Sequence, residues 1–203
     1  MRAALLLLCA TAALAGCNQQ PAEQPTLAQN EAAARDAAAD LKGWDRMFGF
    51  PTETIGRLNQ YGYRIGAYAA TDKGFATNGA DITLSQSDAK WPNKGNVIVA
   101  GPDAETIDSI AFVLAITDDA NAATAKKRLT DIVRAFLFQY GIDDKKTLDA
   151  IAKEADADGK IGDAPVAIAL NKGDAAARTL TVTFRRPSAT APAEAMDGNS
   201  QQP

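Results

Sequence analysis

Residues 109–116, Ser-Ile-Ala-Phe-Val-Leu-Ala-Ile, set Ile110, Phe112, Leu114 and Ile116 against Ser109, Ala111, Val113 and Ala115 in strict alternation. A period of two over eight residues marks a strand with one face buried and the other different in kind. The same alternation returns near the C-terminus. Val166, Ile168 and Leu170 precede a turn around Lys172-Gly173-Asp174, and Leu180, Val182 and Phe184 follow it. That pair predicts a closing hairpin. Apolar rows of this kind need a second layer to cover them.

The covering layer is also legible. Ala125, Leu129, Ile132, Val133, Phe136, Leu137 and Tyr140 fall at helical spacing, with Lys126, Lys127, Arg128, Asp131 and Arg134 mostly on the other side. Asp118 or Asp119 is placed to cap the start of this helix, and Gly141 to close it in a left-handed conformation. A second helix is expected from Asp143 or Asp144, burying Leu148, Ile151 and Ala155. Strand-like stretches cover 63–69, 80–85, 96–100 and 106–116, separated by Thr77-Asn78-Gly79 and Gly101-Pro102-Asp103. A short helix from Pro51 or Thr52 should stop by Gly62. The order predicts an α+β fold: a largely antiparallel sheet with two main helices layered on it, plus a short N-terminal helix.

This domain is expected over residues 44–186. Residues 187–203 hold one sizeable apolar residue, Met196, among Ala, Pro, Ser and Asn, and are expected to be a disordered tail. Residues 17–43 form an Ala/Gln/Pro-rich tether in which 31–40 favour a helix without an apolar face. Before it, Met1-Arg2 leads into an apolar run over residues 3–14. A membrane-crossing helix needs about 20 apolar residues, so the run suits a secretory signal instead.

The run ends Leu14-Ala15-Gly16-Cys17, which resembles the lipobox of bacterial lipoproteins. The resemblance implies that residues 1–16 are a lipoprotein signal peptide, cut after Gly16. It also implies that Cys17 takes diacylglycerol on its sulfur, often with a further acyl chain such as palmitate on its amine. Small residues at 15 and 16 suit a protease cleft, and a thiol is the group that accepts the lipid. Two or three acyl chains hold a protein firmly on a membrane, where one holds it reversibly. The expected location is the bacterial cell envelope, facing the periplasm. Asn18 in place of Asp leans toward the outer rather than the inner membrane.

Composition narrows the chemistry. The chain carries 21 basic and 25 acidic residues and no histidine, and its two cysteines are Cys9 and Cys17. Removing residues 1–16 takes away Arg2 and Cys9, so the lipidated Cys17 is the one thiol left. Without histidine the commonest general base and metal ligand are missing, and so is the usual partner of a nucleophilic serine. The acidic balance argues against nucleic acid as a partner. No catalytic residue and no cofactor is assigned. The expected role is a non-catalytic binding or accessory module, with a protein partner in the envelope or self-association. The alternatives are a histidine-independent hydrolase using carboxylates and a small-molecule carrier with an apolar cavity.

Candidate sites are few. Glu154, Asp156 and Asp158, followed by Gly159 and Ile161, resemble the opening of a calcium loop. Pro165 stands where the closing bidentate Glu belongs, however, so a solvated helix end and turn is the expected reading and no metal is assigned. Lys126-Lys127-Arg128 with Arg134 is read as the wet face of a helix before a lipid contact. Asp118-Asp119 and Asp143-Asp144 are read as helix-start acids before catalytic pairs. Trp91 is either an anchor for a partner or folded back on the core. The most telling feature is the second face of the sheet, with Ser109, Ala111, Ala115, Ala167, Ala169, Thr179, Thr181 and Thr183. These are small and uncharged, where a wetted face normally carries charged or long polar side chains. Cover by Trp44, Met47, Phe48, Phe50, Ile55 and Leu58 is the first expectation, and a partner or second copy the other.

Overall fold

The computed structural model describes residues 26–85, 88–173 and 177–187. Leu14, Ala15, Gly16 and Cys17, and the expected tail from residue 188 onward, lie outside them. Helix α1 (Leu27–Asp40) occupies the tether and is followed by α2 (Gly43–Gly49) and α3 (Pro51–Asn59). Strands β1 (Ala69–Thr71), β2 (Gly74–Asn78), β3 (Ile82–Thr83), β4 (Lys94–Gly101) and β5 (Ser109–Ile116) come next. Helix α4 (Ala122–Phe138) and the short α5 (Asp149–Lys153) precede β6 (Ala157–Ile161), β7 (Ala164–Lys172) and β8 (Arg178–Arg185). The strands form one antiparallel sheet in the order β1-β2-β4-β5-β8-β7-β6, with β3 paired to β4. The α+β architecture is as the sequence predicts.

Strand β5 lies at the centre because both its neighbours match its alternation. Phe112 stands opposite Val97 of β4 and Val182 of β8, and Leu114 opposite Leu180. The closing hairpin has the expected register, with Val166, Ile168 and Leu170 opposite Phe184, Val182 and Leu180. These rows, with Val99, Ile110 and Ile116, are buried against Leu129, Val133, Phe136 and Leu137 of α4. Phe112 is the hub: it meets Phe136, Phe184 and Tyr63 edge-on at 5.7, 6.2 and 6.3 Å. Burying each such ring contributes about 1.5–3 kcal/mol, and edge-to-face pairs add to that.

Helix α2 covers the same face. Trp44 packs on Phe184 and Phe48, both at 5.7 Å, and its Nε1 donates to the carbonyl of Ile161 at 2.8 Å. Met47, Phe48 and Leu58 are fully buried in this one core, with Trp44 and Ile55 packed against it. Thr54 Oγ1 donates to the carbonyl of Met47 at 2.6 Å and lies 2.9 Å from Tyr140 Oη, tying α2 and α3 to the end of α4.

Several local expectations give way. Residues 63–68 are not a strand: Asn59 Oδ1 accepts from Ile65 N–H at 2.6 Å and Arg64 has φ +48°, which takes the segment out of a ladder. The strand that joins the sheet here is β2, paired with β1 on one side and β4 on the other. Its continuation bends at Gly79, where an added Cβ would stand 3.0 Å from Tyr63 Cβ and Val97 Cγ1, so only glycine lets the strand hug β4. The second helix does not start at Asp143 or Asp144. Lys145 and Lys146 have φ +45° and +72°, so the chain turns there first; Leu148 and Ile151 are buried as expected, while Ala155 is exposed. Neither Asp118 nor Asp119 caps α4 with its side chain; Asn121 holds the N-cap position, and Asp118 Oδ2 accepts from Asn121 Nδ2 at 2.7 Å. Gly141 is left-handed, φ +69°, as expected.

Candidate functional site

Among the described residues, the second face of the sheet is open. Helices α2 to α5 all pack on the apolar face, so the expected cover by Trp44, Met47, Phe48, Phe50, Ile55 and Leu58 does not occur. Met47, Phe48 and Leu58 lie in the core instead, with Trp44 and Ile55 packed against it, because their apolar area has better partners there, such as Phe184 under Trp44, than in a row of alanines and threonines. The register then aligns the small residues across four strands. Ile98, Ala111, Thr183 and Ala167 form one row, Asn96, Val113, Thr181 and Ala169 the next, and Ala115 with Thr179 a third. Ser109, between Ala100 and Arg185, begins the patch.

This surface is flat and uncharged at its centre. Charge stands at its margins: Lys94 and Asp81, 3.8 Å apart, at the β4 side, Arg185 at one end, and Asp158 opposite Ala167 on the edge strand β6. Ile98 is 41 % exposed. Beside it lies a shallow hollow of about 310 Å³ bordered by Asn78, Asp81, Lys94, Asn96, Ile98, Val113 and Ala115. Four strands spaced about 4.8 Å apart, with seven residues rising about 3.4 Å each, make a patch of roughly 400 Å². That is about half of what one partner contributes to a standard interface.

The other candidates resolve into structure. Glu154 is claimed by Arg178, through Nε and through Nη2 at 2.9 Å, and by Lys126 Nζ at 2.7 Å. Arg178 hydrogen bonding, with Lys126 adding to it against partial desolvation, holds the Glu154 carboxyl at about 2. Asp156 Oδ1 accepts from Leu170 N–H at 2.7 Å, and Asp158 lies on β6. The segment 157–161 is thus an edge strand rather than a calcium loop. Among the described residues no group of three or more His, Cys, Asp or Glu is placed to hold a metal ion. The basic run is similarly engaged: Lys127 pairs with Asp131 at 2.6 Å, and Arg134 with Asp144 at 3.2 Å and Asp149 at 2.8 Å. Asp143 Oδ1 accepts from Lys145 N–H at 3.0 Å, a turn device rather than half of an acid pair.

Trp91 does not fold back on the core; it is 68 % exposed. Its loop is held from below by Asn93, fully buried, whose Oδ1 accepts from Thr117 and Asp118 N–H and whose Nδ2 donates to the Asp118 carbonyl, each at 2.8 Å. One feature escaped sequence reasoning. Phe138, the last residue of α4, is 81 % exposed on the wet side of that helix. It borders an open furrow of about 770 Å³ with Tyr61, Leu137, Gln139 and Ile142. Its signal was an aromatic residue out of phase with the apolar stripe. Comparison of the chain with known protein families, curated proteins and solved structures finds no match.

Proposed function

We propose that this chain is a lipid-anchored lipoprotein of the bacterial envelope that works as a non-catalytic binding module, receiving a protein partner on the open face of its sheet. The observation that carries the reading is that face: small, uncharged, aligned across four strands and, among the described residues, left uncovered by helices α2 to α5. Burying it requires no charged side chain to be desolvated, and β-branched Thr and small Ala side chains lose little rotamer freedom on contact. The anchor rests on Leu14-Ala15-Gly16-Cys17. The patch of roughly 400 Å² suits a reversible contact, or a partner that also engages the charged margin.

The space between sheet and helices, where a carrier would need its cavity, is filled by the rings around Phe112. Glu154, held by Arg178 and Lys126, is a locked anion and not the raised-pKa acid that a hydrolase would use. The test is isolation of the tagged chain from cross-linked envelopes beside Cys17→Ser and Ala111→Lys versions. A co-purifying protein lost with Ala111→Lys supports the reading, as does release of Cys17→Ser into the soluble fraction. A partner that Ala111→Lys still retains removes the sheet face from the account.

A further inference from the structure

We draw no further inference here: the strongest candidate, the hollow on the open sheet face where Asp81 pairs with Lys94 at 3.8 Å and accepts from Asn96 Nδ2 at 2.9 Å, has its polar groups turned on one another, and nothing in the structure shows what covers it.

Discussion

Glu154 gives the domain an acid-sensitive clamp whose size can be worked out. Its side chain and that of Arg178 are each 18 % exposed, and the pair joins the end of α5 to the start of β8. The backbone of Glu154 is left-handed, φ +50°, so the ion pair holds a residue that would otherwise relax. The carboxyl lies at about 2 in the fold against an ordinary 4.5. A depressed carboxylate contributes stability that is complete above the unfolded value and is lost as pH falls toward the folded one. Between pH 6 and pH 3 the linkage relation gives a loss of about 2 kcal/mol, and solvent screening of a partly exposed pair brings it nearer 1 kcal/mol. With a urea m-value of about 1.5 kcal/mol/M, that is a midpoint drop of about 0.7 M attributable to this one group. The assay is urea unfolding followed by the fluorescence of Trp44, for the parent chain and Glu154→Gln, at both pH values. Other carboxylates lower both curves alike, so the difference between the two chains isolates Glu154. If Glu154→Gln loses as much stability between pH 6 and pH 3 as the parent, the clamp carries no proton-linked stability and the reasoning fails.

Phe112→Ala removes the ring that three aromatic neighbours share, and unfolding should show a loss of about 3–5 kcal/mol. Asn93→Ala strips three backbone groups of their partner inside the fold and should cost about 2–4 kcal/mol by the same measurement, several times the effect of Trp91→Ala. Ala111→Lys combined with Ala167→Lys should leave the unfolding midpoint within about 0.5 kcal/mol, because the face they occupy is open. A large loss there, seen by calorimetry, would mean that something in the chain covers the face after all.

What the sequence made legible was governed by pattern strength. The eight-residue alternation of β5 and its echo in β7 and β8 set the centre of the sheet and even the pairing of Ile168 with Val182, because a slip of one residue would expose every apolar side chain. Helix α4 was legible for the same reason. Strand β6 was not: Asp158, Gly159 and Lys160 read as a turn, whereas charge on an edge strand is how a sheet discourages pairing with other chains. Residues 63–68 misled in the other direction. Tyr63 and Ile65 look like strand residues, and both are buried, but the backbone is held by a side chain, Asn59, which no periodicity announces. The open face was visible as composition, while its exposure was not, since that depended on α2 choosing Phe184 as its partner. Cys17 remains a matter of motif, outside the described residues.

The sheet order has a temporal meaning. Strand β5 is completed on one side by β4, its immediate predecessor, and on the other by β8, with Ser109 paired to Arg185. Half of the central ladder thus waits for the last strand to be synthesised, and the loop closed by that pairing contains α4, α5, β6 and β7. Contacts so distant in sequence slow the search for the native state. Nothing before residue 178 can complete the central ladder, so a chain shortened ahead of β8 would leave one whole side of β5 without its partner.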